Sequence, residues 1–526
     1  MIESPGNSLG VVFSESVVFS YRVAVSTEVN MHSIRKNESR QLFTLWLASV
    51  VALPGGAALG IEPFADVTEE VGIHTPSGGE AAWGDYDNDG WVDFYDGRLW
   101  RNEGGKKFSE VDGPFSGPGI WGDFNNDGFL DLYLYASHLL LRNDSGTGVF
   151  VAVEDGLPER PIQVSRGAAW GDLDGDGYLD LYITGYEIWP DQEWPDVIFR
   201  NAKGTSFSEG WRTERVERAR GVTLADFDED GDLDVYVSNY RLQPNRLLLN
   251  GGSGNMTDVG ADYGVDGDGD LGAWGHTIGS AFGDFDNDGH LDLLVGNFSH
   301  PPAYQDRTKF LRNRGPAGKF RFQDRSAEAG LAWQESFATP ALGDFDNDGF
   351  LDLCLTAVYG GDHNVLVRNV SAHFHDAPQN SGTDGDSPVG AWRFQDVTSD
   401  VGLPAASTYQ AAWADYDNDG HLDLAIGGRL LRNPGNTNHW LKVRLDGGAG
   451  TNRAAIGTSV RVRAQGWILT RQVAGGMGEG NQNDLTLHFG LADHTGPVKI
   501  DVRWDDGSLQ SVESDVDQTV EVKRTQ

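Results

Sequence analysis

The 526 residues carry 79 Asp and Glu against 40 Lys and Arg, a formal net charge of −39. That balance argues against nucleic acid and anionic membrane surfaces as partners, since both demand basic surface. The 39% hydrophobic content, with 16 Trp, 15 Tyr and 25 Phe, argues against a disordered acidic chain, and the single Cys354 excludes an intrachain disulfide or a thiolate zinc site.

In chain order, residues 1–30 read as a leader or a misassigned start. Residues 31–60 read as a signal peptide: MHSIRKNESR is basic overall, LFTLWLASVVAL is an apolar run too short for a comfortable span, and PGGAALG supplies small residues for cleavage. The mature chain is therefore expected to be exported, to the medium, periplasm or cell surface, with no transmembrane span.

From residue 85 one acidic loop recurs seven times, at intervals of 38 to 71 residues. Its acids stand at positions one, three, five and nine, with glycine at six. The expected ligand sets are Asp85, Asp87, Asp89 and Asp93; Asp123, Asn125, Asp127 and Asp131; Asp172, Asp174, Asp176 and Asp180; Asp226, Asp228, Asp230 and Asp234. The remaining three are Asp284, Asp286, Asp288 and Asp292; Asp344, Asp346, Asp348 and Asp352; Asp415, Asp417, Asp419 and Asp423. A small-aromatic-small lead such as AAWG precedes each loop, an apolar strand such as LDLYI follows, and an LLRN-like stretch comes next. Several copies end in FQDV-like strands. Four short antiparallel strands per repeat make a blade, and seven blades close a ring without exposed edges. The seventh copy lacks its fourth strand, and FADVT at 64–68 supplies one, so the first strand is expected to complete the last blade. The propeller is placed at residues 61–435. After it, period-two alternation over 436–526 predicts a small antiparallel β-sandwich.

Oxygen ligands at alternate positions of a tight loop wrap a hard cation, and the glycine allows the sharp turn. The spacing resembles the first half of an EF-hand, but the last acid stands at nine and a strand follows. About seven structural Ca2+ ions are expected, with the Asn125 loop binding most weakly. An Asp-Gly turn needs only one or two such residues, so 27 aspartates in 28 positions go beyond turn chemistry.

These loops resemble the FG-GAP/VCBS repeats of integrin-α-like seven-bladed propellers. The tail, NHWLKVRL, AIGTSVRVRA, LTLHFGL and VKIDVRW, resembles the ASPIC/UnbV domain. Together they resemble the cartilage acidic protein family and its bacterial relatives over about residues 61–526. The resemblance implies calcium at the loops and an extracellular setting, and no established catalytic residues. GGMGEGNQN at 475–483 departs from the family's usual stretch there, which puts a shared role of this loop in doubt.

Antiparallel order puts the acidic loops on one face and the loops between second and third strands on the other. In blades three to six those far loops are long and carry Tyr186, Trp189, Trp194, Tyr240, His300, Tyr304, Tyr359 and His363, the candidate ligand-binding residues. The expected function is extracellular binding or adhesion toward a protein or glycan, without catalysis. The alternatives are a carbohydrate-active enzyme, a polysaccharide lyase or hydrolase, with His276, His300 or His363 as acid–base, and a scaffold subunit of an envelope complex.

Overall fold

The computed structural model describes residues 61–74, 79–153, 156–159, 164–190, 192–267, 274–300, 306–371, 393–405, 407–448, 451–464 and 467–525. The leader at 1–30, the signal peptide at 31–60 and Tyr304 lie outside the described residues.

The chain is all-β. Seven four-stranded antiparallel sheets follow one another, each built in the order lead strand, acidic loop, second, third and fourth strand. In the first blade these strands are Ala82–Gly84, Asp93–Tyr95, Leu99–Asn102 and Phe108–Val111. The seventh combines Ala411–Ala414, Asp423–Ile426 and Arg429–Arg432 with Ala65–Asp66 from the start of the domain. Ala65 pairs with Arg432 and Asp66 with Leu431, while Phe64 packs edge-on against Phe345 and Trp413 at 6.0 and 6.5 Å. The ring is a seven-bladed β-propeller whose last blade takes its outer strand from the other end of the domain.

The small-aromatic-small lead has a packing cause. Trp83, Trp121, Trp170 and Trp413 are fully buried, each wedged between neighbouring blades. The Trp121 ring lies so close to Gly84 that a Cβ there would come within 2.9 Å of it. The indole Nε1 of Trp413 donates to the Ala341 carbonyl at 3.1 Å, and that of Trp83 to Ala412 O at 3.3 Å. A large ring over a glycine thus sets the blade-to-blade spacing, and the buried indole N–H groups of Trp83, Trp170 and Trp413 are satisfied by the preceding lead strand.

Beyond the ring lie two further sheets. One orders Leu487–Ala492, His439–Asp446 and Gln518–Lys523; the other orders Trp467–Gln472, Ser459–Ala464, Val498–Arg503 and Leu509–Ser514. The sandwich is not purely antiparallel: His439–Asp446 and Gln518–Lys523 run parallel, Leu441 opposite Gln518. The chain reaches Gln518 by crossing over from the other sheet instead of by a hairpin, and a crossover permits a parallel pair. Alternation at period two reports which face a residue occupies and carries no information on strand direction. Among the described residues no helix is long and apolar enough to cross a membrane.

Candidate metal centres and ligand face

Each acidic loop is a small hydrogen-bonded cage. At position four the backbone turns left-handed in all seven copies: Asn88, Asn126, Glu229, Asn287, Asn347 and Asn418 have φ between 54° and 59°, and Gly175 has 72°. Asn and Gly tolerate that conformation, which explains their recurrence. In blade one Asp85 accepts the N–H groups of Asp89 and Gly90, both at 3.1 Å, and Asp89 accepts that of Trp91 at 3.0 Å. The position-nine acid staples the loop to the third strand: Asp93 Oδ2 accepts Tyr86 N at 3.1 Å and Oδ1 accepts Asn102 N at 2.8 Å.

The Arg-Asn pair in the third strand, noticed as a repeat mark, has two separate tasks that the sequence alone did not assign. Arg101 reaches back to its own loop, to Asp87 at 2.6 Å and Asp89 at 2.9 Å; Arg312, Arg368 and Arg432 do the same in blades five to seven. The asparagine ties blades together. Asn102 Nδ2 donates to Tyr416 O of blade seven at 2.8 Å, and Asn143, Asn201, Asn250, Asn313, Asn369 and Asn433 each donate to the position-two carbonyl of the preceding blade. Position-four asparagines point the other way, Asn88 to Gly128 O at 2.7 Å and Asn126 to Gly177 O at 2.8 Å.

The electrostatics of these cages disfavour ionised carboxylates. Burial pushes Asp85 up to about 6, Asp123 and Asp172 to about 7 and Asp180 to about 8, and raises Asp93, Asp131, Asp234 and Asp423 well above the usual carboxylate range. Carboxylate oxygens of Asp85, Asp87 and Asp93 converge within 4.8 Å, as do those of Asp172, Asp174 and Asp180, and of Asp226, Asp228 and Asp230. Triads of the same span occur at Asp284, Asp286 and Asp292 and at Asp344, Asp346 and Asp348. Several buried oxygens have no hydrogen-bond partner: Asp174 Oδ1, Asp226 Oδ1, Asp228 Oδ1, Asp234 Oδ2 and Asp417 Oδ1. Three of them belong to the single loop of blade four. Orphaned buried oxygens are costly unless something positive meets them. In blades one and seven, four carboxylates face two fixed cations in direct contact, Arg101 with Arg444 and Arg432 with Lys442. Asp484 acts on Asp85 and on both Lys442 and Arg444, so the carboxylates outnumber the fixed cations by at least two, and an all-oxygen donor set suits a hard divalent ion.

Arg444 and Lys442 belong to the C-terminal domain, which sits on the acidic face. Lys442 Nζ contacts Asp415 at 2.6 Å, Arg444 contacts Asp85 at 2.7 Å and Arg503 contacts Asp226 at 2.9 Å. Arg453 and Arg461 donate to the carbonyls of Asp127 and Gly289 at 2.9 and 2.7 Å, and Gly490 N donates to Asp344 at 3.1 Å. Buried Arg471 lies within electrostatic reach of Asp284 and Asp344, beside a partly open cavity of about 110 Å³.

From this domain the GGMGEGNQN loop descends along the propeller axis. Trp83 N and Trp170 N donate to the carbonyls of Gln482 and Gly475 at 3.0 and 2.9 Å, and Val222 N donates to Gly478 O at 2.9 Å. Trp121 N and Trp413 N donate to the side chains of Gln482 and Asn483 at 2.7 and 2.9 Å. The run therefore answers lead strands of five blades. It is glycine-rich because the axis is narrow: a Cβ at Gly475 would lie 2.1 Å from Trp170 O. At the far end Glu479 pairs with Arg220, and its carbonyl accepts from Tyr135 and, at 2.7 Å, from Gln410.

On the face opposite the acidic loops, the structure brings four of the eight candidate ligand residues together. Tyr186 and Tyr240 lie 6.4 Å apart and His300 stacks on Tyr359 at 5.7 Å, with His276 bridging the pairs at 4.6 Å from Tyr240 and 5.0 Å from His300. Trp189 is exposed and joins them through Arg241, whose guanidinium covers both its ring and that of Tyr240. Trp194 is half-buried against the core, its N–H bonded to Tyr186 O at 3.1 Å, so it plugs its own loop. His363 is exposed and its backbone N–H bonds Gln334 at 2.8 Å. Arg220, Tyr409 and Glu479 join the cluster from lead strands and the axial loop, segments where no long loop drew attention to them.

Fold and loops together define the class: a propeller of FG-GAP-like repeats carrying an ASPIC and UnbV domain. Family profiles described as "FG-GAP-like repeat" match residues 123–183 and 226–295, and one described as "ASPIC and UnbV" matches 448–526. The chain is similar to Cartilage acidic protein 1 of Xenopus tropicalis, 25% identical over 304 residues, and of Homo sapiens, 27% identical over 307. Those matches cover 55% and 56% of this chain and 42% of each relative, so the matched part spans under half the relatives' length. Among solved structures, an Agrocybe aegerita lectin specific for non-reducing terminal N-acetylglucosamine aligns at TM-score 0.35 and 15% identity, covering 66% of this chain and 84% of that one. YCF48 bound to D1 peptide aligns at TM-score 0.27 and 10% identity, covering 73% and 99%.

Proposed function

We propose that this is an extracellular, calcium-loaded binding or adhesion protein that takes a protein or glycan on the face opposite its acidic loops and catalyses no reaction. The observation that carries the reading is the division of the two faces. The C-terminal domain sits on the acidic side, while half-exposed Tyr240, His300, Tyr359 and Tyr409 surround the axis on the other. Asp226, Asp228 and Asp234, with their orphaned oxygens, would hold Ca2+ in blade four, and the equivalent residues would do so elsewhere. Bound calcium would supply the positive charge these carboxylates need in order to stay ionised while buried. The similarity to proteins named for cartilage supports an extracellular setting. Burial holds His276 down to about 4, so it stays neutral near pH 7 and is a poor general acid there.

The test compares two variants on an array of glycans and extracellular matrix proteins. Tyr240→Ala with Tyr359→Ala should abolish binding and leave calcium content unchanged, with only a modest fall in melting temperature. Asp344→Ala with Asp348→Ala should lower melting first. Binding that survives the tyrosine variant would contradict the reading.

A further inference from the structure

The proposal below rests on the ligand face just described and names what that face takes. We propose that the axial aromatic cluster is a site for an uncharged sugar chain, and that Glu479 of the C-terminal domain sets this preference by neutralising Arg220 at its floor.

Topology puts the parts in one place. Lead strands run toward the acidic loops, so their first residues lie at the axis on the opposite face: Arg220 near the start of Ala219–Ala225, His276 at the start of His276–Gly283, and Tyr409 just before Ala411–Ala414. Second strands run back, so Tyr240 and Tyr359, just past Asp234–Asn239 and Asp352–Ala357, reach the same face.

The floor is charged but matched. The Arg220 guanidinium lies 5.7, 5.3 and 4.9 Å from the ring centroids of Tyr186, Tyr240 and Tyr409, and its counter-ion is Glu479. Arg220 and Glu479 are 7% and 5% exposed, so neither charge is screened by water and removal of one leaves the other uncompensated. At the rim Arg241 pairs with Glu187, and Arg218 pairs with both Glu187 and Glu193. Arg166 and Glu80, opposite in sign, both act on the Tyr135 hydroxyl. Exposed Arg166 lies 5.5 Å from the Tyr186 centroid and is offset by Glu80 in sign, not by a direct pair. The four arginines and four glutamates named here balance, so neither an acidic nor a cationic sugar gains a net charge attraction from them.

The walls are amphipathic. Tyr240, Tyr359, Tyr409 and His300 are half-exposed rings with polar tips, whereas the one purely apolar ring among them, Phe298, is buried. His276 is 8% exposed and its Nδ1 has no hydrogen-bond partner. Kept neutral, the imidazole offers a lone pair or an N–H to a hydroxyl. A pyranose presents the complement, C–H faces for the rings and hydroxyls for the tips, in the usual manner of a site with few fixed polar groups among aromatic walls.

The experiment uses the full chain with calcium and two probe sets: immobilised chito-, cello- and manno-oligosaccharides, and heparin and alginate fragments. Wild type should bind at least one uncharged set and neither acidic one. Tyr359→Ala and Tyr240→Ala should each weaken binding at least tenfold, with calcium content unchanged and only a small fall in melting temperature. Glu479→Gln should admit the acidic fragments, and the double variant Glu479→Gln with Arg220→Met should exclude them again, which guards against a merely loosened fold. Preference of wild type for acidic fragments would overturn the proposal, as would sugar binding indifferent to the tyrosines. Binding of a matrix protein but of no sugar, lost in Tyr359→Ala, would overturn the sugar assignment while leaving the ligand face in place.

Discussion

Asn418 Nδ2 donates to the Gly90 carbonyl at 3.0 Å, so the acidic loop of the last repeat is joined to that of the first across 328 residues. The same bond links blades one to two, two to three, five to six and six to seven. Ring closure thus uses the contact that joins ordinary neighbours, reinforced by the borrowed strand Ala65–Asp66.

Deleting Phe64–Thr68 should therefore lower the melting temperature far more than deleting residues 1–58. It removes the Phe64 packing, the Val67 to Leu430 bond at 3.0 Å and the outer strand of blade seven. Truncating a buried Phe alone costs about 3–5 kcal/mol. Equal melting shifts, read by calorimetry, would mean that the ring is held by its other contacts.

Without metal, stability should fall as pH rises. Carboxyls such as Asp85, Asp123, Asp172 and Asp180 carry folded-state pKa values of about 6, 7, 7 and 8, above the unfolded value near 4. Each binds its proton more tightly folded than unfolded, so its contribution is lost as pH climbs from about 4 through its folded value. Melting in chelator should decline between pH 4 and 8, and saturating calcium should remove that decline. A rise across the same window in chelator would contradict the burial argument.

The cations of the C-terminal domain share carboxylates with the expected calcium. Arg444→Gln removes a positive charge 2.7 Å from Asp85 and should tighten calcium binding at that loop several-fold, as titration calorimetry would show. Weaker binding would mean that Arg444 acts chiefly by orienting Asp85.

Gly475→Ala should be severely destabilising, by more than about 2 kcal/mol, since its Cβ would lie 2.1 Å from Trp170 O in a packed axis. Gly251→Ala, with nothing within 4 Å, is the control and should be nearly neutral. Similar melting shifts in the two variants would show that the axial loop can move aside.

The repeat was legible because its marks are local: the acids, the glycine and the Trp-Gly lead all act within one blade or against its neighbour. The long-range pairings left no such trace. Nothing near Glu479 signals Arg220, 259 residues earlier, and nothing in HWLKVRL says that its basic residues face Asp85 and Asp415. GGMGEGNQN stood out in the sequence only as a departure from the family's usual stretch, because glycine serves equally for loose loops and for the tightest packing. Long far-face loops pointed to Tyr186, Tyr240, His300 and Tyr359, but the same criterion also selected Trp194, which plugs its own loop.

Metal content measured alongside melting tests the central claim most directly. The full chain, equilibrated with calcium and freed of excess, should carry close to seven Ca2+ per molecule, and chelation should lower its melting temperature steeply. On titration the Asn125 loop should fill last, because it offers one carboxylate fewer than its six counterparts. A chain that retains no calcium and melts at the same temperature in chelator would contradict the account.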